Sequence, residues 1–339
     1  MITPKENYLM ALRGEIPEYI PRYTFGPPPK DKVVANVAFT PPFLMGDRRP
    51  GVRCKDIWGV TYVPADKAGA TIPEPNNFIL KDIKKWREVI KAPSLEGVDW
   101  EKMVKKDLED SGVDRSQTCV TLGLFFGYFQ TLMSFMGFTE GLIAMQEEPE
   151  EVMELFQYLS DFYIEVAEHV IDLYDPDIIS LVDDTAAQHA PFISPKMYRE
   201  MLVPYHDRWA KMGRERGKFI SMHNCGKCES VVDEFVKMGV NMWEPAQIEC
   251  NDLEAIQAKY GRKLCLGTAW SGKGKLLNPD ITEEEIREEI YAVLNKLAKN
   301  GGFMWTVGFI ARPGDEVSAR KAALFEKVFE EISHSFYKS

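Results

Sequence analysis

The 339-residue chain has little cysteine and histidine, six and five residues, and it has no excess of positive charge and no long apolar run. Each lack removes a class of function. The cysteines do not show the regular spacing of a disulfide framework, so the chain reads as a protein of a reducing compartment, where clustered cysteines are more often ligands than bridges. No apolar stretch approaches the roughly 18–20 residues that span a bilayer, and the opening "MITPKENYLMALRGEIPEYIPRY" carries no signal-peptide core. The expectation is a cytoplasmic protein with no membrane partner. Acidic residues outnumber basic ones by 52 to 41, a formal charge of −11, with the basic residues scattered among them. That pattern offers no electrostatic footprint for nucleic acid. No internal repeat, low-complexity tract or linker divides the chain, so it is read as one domain over 1–339 with a helical and loop extension over about 1–50.

What is present is a repeated grammar. From about residue 115, short apolar runs end in polar or glycine residues and are followed by charged segments of helical pattern. "TCVTLGLFFG", "DIISLVDD", "KFISMHNCG", "VNMWEP", "KLCLGTAW" and "GFMWTVG" are the apolar runs. Strands alternating with helices of 10–20 residues imply parallel strands joined by crossovers. Six such units, with one or two more before residue 115 and "KDIWGVTYV" as a strand or hairpin, predict a (β/α)8 TIM barrel; a doubly wound open sheet is the runner-up. Residues 4–14 read as a helix stopped by Gly14, and "FGPPPKDK" as a loop over one face.

Both architectures put chemistry in the loops just after the strands. His223 and Cys225 sit there in "FISMHNCGKCES"; two residues apart on an extended segment, they point to one side and can converge on a zinc ion. The bland alternative is a hydrogen-bonded histidine beside a packed cysteine. Glu244 in "MWEPAQ" is an acid after an apolar strand, costly to bury unless paired or metal-bound, and is the third candidate ligand. Cys228 offers a local C-x-x-C spacing but equally begins a helix with its sulfur turned away. Cys265 lies inside a strand, where core packing is the default, and Cys250 is the weakest candidate. Asp183 and Asp184 are the candidate catalytic acids, as proton donor, base or hydrogen-bond acceptor; the alternative is a helix cap and an amide acceptor. Phe125, Phe126, Tyr128, His189, Gln247, Trp270 and Trp305 are the candidate walls of an apolar pocket for a planar ligand, each weighed against a place in the core.

Taken together, "TPKENYLMALRGEIPEYIPRY", "KDIWGVTY", "DIISLVDDTAAQHAPFISPKMYREMLVPYHDRWA", "MHNCG", "GVNMWEPAQ" and "GGFMWTVG…RPGDEV" resemble the uroporphyrinogen decarboxylase superfamily along nearly the whole chain. The resemblance implies a (β/α)8 barrel with its cleft at the C-terminal ends of the strands. Decarboxylases of that superfamily carry an "RQAGR" motif that grips the propionates of the porphyrinogen; here the region reads "RYTFGPPPK". The branch of corrinoid-dependent methyltransferases carries H-x-C for zinc, matching His223 and Cys225. Its usual third ligand, a cysteine after the last strand, is replaced by "TVGFIARPG", with Phe309 near the expected position. A glutamate-containing sphere suits polarisation of an ether oxygen better than activation of a thiol. The expectation is methyl transfer from a small-molecule donor, a methoxylated aromatic, to the Co(I) corrinoid of a partner protein, because the chain has no cobalamin-binding motif of its own. The reverse transfer to a thiol and a metal-independent decarboxylation are the alternatives. A barrel helix looks alike facing solvent or a twin, so an oligomer is compatible with the sequence.

Overall fold

The computed structural model describes residues 2–24, 33–49, 51–65, 71–124, 127–270, 274–309, 311–312 and 314–338. In chain order the strands are β1 (Asn36–Phe39), β2 (Cys54–Lys55), β3 (Thr61–Pro64), β4 (Thr71–Pro73), β5 (Cys119–Gly123), β6 (Ile178–Val182), β7 (Phe219–His223), β8 (Met242–Gln247), β9 (Cys265–Ala269) and β10 (Phe303–Val307). Seven of them form one curled sheet in the order β1-β5-β6-β7-β8-β9-β10, and every neighbouring pair is parallel. All six apolar runs read from the sequence are strands of this sheet. A parallel sheet needs both faces covered, which is why "CVTLG" is buried at every position. Crossover helices cover the outside: in Pro149–Tyr174, buried Val152, Leu155, Leu159, Val166 and Val170 recur at helical spacing. Among the described residues no helix is long and apolar enough to cross a membrane.

Inside the curl, the N-terminal ends of the strands contribute Cys119, Ile178, Met242, Cys265 and Met304 to a small separate core. The helix Pro4–Leu12, capped by the Thr3 hydroxyl on the Glu6 amide, closes that end with Tyr8, Ala11 and Leu12. The opposite, C-terminal end is left for loops.

The expected eighth strand is not formed as a strand. The segment from Pro21 to Thr24 occupies its place between the two sheet edges: Trp305 donates its amide to the Pro21 carbonyl and Tyr23 donates to the Trp305 carbonyl, both at 2.9 Å. On the other side the Asn36 side chain accepts from the Thr24 amide at 2.8 Å and donates to the Thr24 carbonyl at 3.3 Å. Pro21 has no amide to give, so a continuous ladder cannot run through it. "KDIWGVTYV" forms the hairpin the sequence offered, but in a separate antiparallel sheet, β2-β3-β4, beside the mouth rather than as a unit of the main sheet. β1, within the stretch read as an extension, is an edge strand of the main sheet. The proline-rich 25–32 segment lies outside the described residues.

The turn that leads into β3 carries a buried acid. Asp56 Oδ1 accepts the amides of Trp58 and Val60, each at 2.9 Å, yet burial outweighs those bonds and pushes the carboxyl up to about 6. Because the folded value lies above the unfolded value of about 3.9, the group's contribution is full below pH 4 and is lost as pH rises through 6. Urea unfolding of Asp56→Asn should therefore remove a pH-dependent loss of up to about 3 kcal/mol between pH 4 and 7 that the parent chain shows. Parallel stability curves for the two proteins would contradict it.

Candidate metal centre and its cleft

Three adjacent strands end side by side, with His223 paired in register to Val182 of β6 and to Glu244 of β8. This brings the residues that follow β6, β7 and β8 to one place. The His223 imidazole uses its two nitrogens differently. Nδ1 lies 3.0 Å from both oxygens of Glu244. Nε2 faces the cleft, 3.7 Å from Cys225 Sγ and 3.7 Å from Asp184 Oδ1. One donor atom each from Asp184, His223 and Cys225 falls within 4.8 Å of the others.

Those distances fit a metal. Zinc at about 2.3 Å from sulfur and about 2.0 Å from nitrogen, with a tetrahedral angle, sets the two atoms about 3.5 Å apart. The donor set of one thiolate, one imidazole and one carboxylate suits zinc and leaves a fourth position towards the cleft. Asp184 is held from two sides: Oδ1 accepts the Cys225 amide at 2.8 Å and Oδ2 accepts from Gln130 Nε2 at 3.1 Å. Glu244, expected as the third ligand, stands on the far side of the ring. There it orients the imidazole as a carboxylate partner does in zinc sites.

The Glu244 carboxylate is 1% exposed, and room for it exists because residue 267 is glycine: a Cβ there would lie 2.7 Å from Glu244 Cβ. Tyr23 hydrogen-bonds the same carboxylate, and burial first, then that negative charge, raise its phenol well above the usual range. Burial alone would lower the His223 pKa, but the Glu244 charge and the Cys225 contact outweigh it and hold the ring well above its ordinary value. Burial pushes the Cys225 thiol up, against the pull of His223.

Asp183 points the other way and is fully buried. Its carboxylate accepts the amides of Phe129 and Gln130 at 3.1 Å each, at the N-terminus of the helix Tyr128–Met136, and meets His206 Nε2 at 3.1 Å. A Cβ on Gly127 would lie 2.1 Å from that carboxyl, so only glycine lets helix and acid approach so closely. Asp183 thus accepts the amides of a helix that precedes it in the chain, while the next helix, Pro195–Met197, is capped by Ser194. Cys228 is buried with its thiol directed at the Asn224 and Cys225 carbonyls. Cys265 lies in the separate core at the N-terminal ends of the strands, at the level of Met242 and away from the donor triad.

The cleft above the triad has a volume of about 1610 Å³. Its apolar wall differs from the expected one. Phe129 and Phe192 stack at 5.9 Å, and Phe138 meets Phe192 edge-on at 4.8 Å. Phe138 and Phe192 remain 46% and 36% exposed at the mouth. Tyr128, one residue from Phe129, turns into the core against Phe156 and Tyr205, and Trp305 is fully buried against Phe325 and Phe329. Trp270 packs edge-on against Trp305 and Phe309. Gln247 accepts the Gly226 amide at 2.6 Å and so fixes the loop that carries Cys225. His189 is exposed in the loop after β6, and Phe125 and Phe126 lie outside the described residues. Helical periodicity separates these roles in "YFQTLMSFM": Tyr128, Leu132 and Phe135 are one face, and Phe129, Gln130 and Met133 another.

The curled parallel sheet, with its donors at the C-terminal strand ends, defines an α/β protein built around a metal-competent cleft. The family profile of uroporphyrinogen decarboxylase (URO-D) matches residues 59–322, and the chain belongs to that family. Among solved structures, a methyltransferase from Methanosarcina mazei is similar over 98% of this chain and 99% of its own, with a TM-score of 0.61 and 14% identity. A B12-independent methionine synthase from Shewanella sp. W3-18-1 covers 72% of this chain and 69% of its own, at 12% identity and a TM-score of 0.41. A 3-keto-L-gulonate-6-phosphate decarboxylase from Vibrio cholerae covers 69% and 80%, at 11% identity and a TM-score of 0.31. No curated protein matches the chain.

Proposed function

We propose that the chain transfers a methyl group from a methylated oxygen donor, a methoxylated aromatic, to the Co(I) corrinoid of a partner protein. The observation that carries this reading is the convergence of Asp184, His223 and Cys225 beneath a wall of phenylalanines. Zinc held by those three residues would supply Lewis acidity at the donor oxygen, making the phenolate a tolerable leaving group. The protein's own groups do the rest. Glu244 holds His223 with Nε2 towards the cleft, Gln130 and the Cys225 amide aim Asp184, and Phe129, Phe138 and Phe192 hold a ring and keep water from it. Pro21–Thr24 takes the eighth position of a closed barrel in this reading, and Tyr23 on it steadies Glu244 from the closing side. The corrinoid arrives with a separate carrier protein.

Decarboxylation of a porphyrinogen is the less supported reading. Among the described residues that line the cleft, Arg48 is the one lysine or arginine, while Asp107, Asp110, Asp114, Asp184 and Glu244 are acidic. A substrate of many carboxylates needs a matching set of cations.

The test is to mix the zinc-loaded chain, a corrinoid protein reduced to Co(I), and a series of methoxylated aromatics, and to follow the cobalt absorption. Methyl-cobalt formation with at least one aromatic is the expected outcome. Failure with all of them, together with demethylation of methyl-cobalt by a thiol, would reverse the direction assigned here.

A further inference from the structure

We infer that Tyr23 is a positioning residue for the metal centre, acting through Glu244, and that metal binding is thereby coupled to the seating of Pro21–Thr24 between the sheet edges. This rests on the metal site of the reading above and not on the reaction assigned to it. Tyr23 is 4% exposed and packs in the small core with Met242, which stands two residues before Glu244 on the same face of β8. Its hydroxyl donates to the Glu244 carboxylate, whose two oxygens each lie 3.0 Å from His223 Nδ1. The backbone amide of the same residue donates to the Trp305 carbonyl at 2.9 Å. One residue therefore joins the segment that closes the sheet to the carboxylate that orients a metal-binding ring.

Each side depends on the other for a chemical reason. A metal on His223 Nε2 requires the proton on Nδ1, and it draws electron density from the ring, so that N–H becomes a stronger donor to Glu244. A carboxylate that is 1% exposed is costly to hold in place without donors, and Tyr23 brings one to the side away from the ring. The closing segment in turn gains from Glu244. Pro21 interrupts any ladder, and the segment is held by two backbone bonds to Trp305, by the Asn36 side chain on Thr24 and by an Arg22–Glu326 ion pair at the surface. To these the Tyr23 hydroxyl adds a bond to a carboxylate, about twice as strong as one between neutral groups.

Two events that share one carboxylate are linked, and the linkage is reciprocal: whatever the metal adds to the seating of the segment, the seated segment adds to the affinity for metal. Tyr23 also lines the cleft, so loss of the metal loosens the cleft wall between β10 and β1.

The experiment measures amide hydrogen exchange of the full chain with and without zinc, and zinc affinity by chelator competition, for the parent and for Tyr23→Phe. The variant removes one oxygen, and circular dichroism and thermal unfolding check its fold. In the parent, zinc should slow exchange of the Tyr23 and Trp305 amides by about fivefold or more beyond its effect on the helix Pro149–Tyr174, the size of a typical coupling between sites. Tyr23→Phe should abolish that excess and weaken zinc binding by about fivefold or more. A residue that only fills space would leave both the zinc affinity and the zinc-dependent excess unchanged. In the parent, exchange slowed no more at Tyr23 and Trp305 than in the reference helix overturns the inference and leaves the metal site standing. So does an excess that persists in Tyr23→Phe, or a variant with parental zinc affinity. A parent chain that binds no zinc overturns the inference together with the metal site.

Discussion

Alanine in place of His223 or Cys225 should weaken zinc binding by more than about a hundredfold, because each substitution removes a donor atom from a set of only three. Competition with a chromophoric chelator reads the affinity, and the d–d absorption of the cobalt-substituted protein reads the donor set. Loss of the Cys225 thiolate should remove sulfur-to-cobalt charge-transfer absorption, while Asp184→Asn should shift the d–d bands and keep it. Glu244→Gln acts on the far nitrogen of the ring rather than on a donor atom, so its cost should be the about 10–100-fold typical of a carboxylate behind a histidine ligand. Cys228→Ser should keep its metal, since that thiol is committed to backbone carbonyls. Retention by Asp184→Asn with loss in Glu244→Gln or Cys228→Ser would reassign the third ligand.

The second large effect belongs to Asp183 and is one of stability. Removing its carboxylate with Asp183→Ala strands two amides at a helix N-terminus and His206, all in a buried setting. Loss of one partner from such a cluster costs about 3–5 kcal/mol. Urea unfolding should show that loss, and zinc affinity should fall with it, because the same helix carries Gln130 to Asp184. A variant as stable as the parent but unable to transfer methyl groups would restore Asp183 as the catalytic acid that its place after a strand suggests.

The comparison of these two aspartates explains how far the sequence could be read. Apolar runs and their helical followers identified all the strands of the sheet from β5 onward, because burial of a parallel strand on both faces demands continuous apolar residues. The strand-end rule likewise brought His223, Cys225, Glu244, Asp183 and Asp184 into consideration; Asp184, His223 and Cys225 converge, Glu244 stands behind the ring, and Asp183 turns away from them. Their division of labour was not legible. Asp183 and Asp184 are neighbours of identical chemistry; which of them faces the cleft depends on a helix that begins more than fifty residues earlier and on Gly127 within it. Tyr128 was placed on the pocket wall for a related reason. A cluster of aromatic residues advertises burial, but the helix turns Tyr128 to the core and Phe129 to the cleft.

By itself, then, the sequence determined a parallel α/β fold, the family, and a histidine and a cysteine two residues apart at the end of a strand, since periodicity, block order and two-residue spacing are local properties of the chain. Tertiary structure decided the remainder: Asp184 beside the pair, Glu244 behind the ring, and Pro21–Thr24 between the sheet edges. Each of these depends on residues brought together across long stretches of chain, and the direction in which a side chain points is set by what packs against it there rather than by its neighbours in sequence.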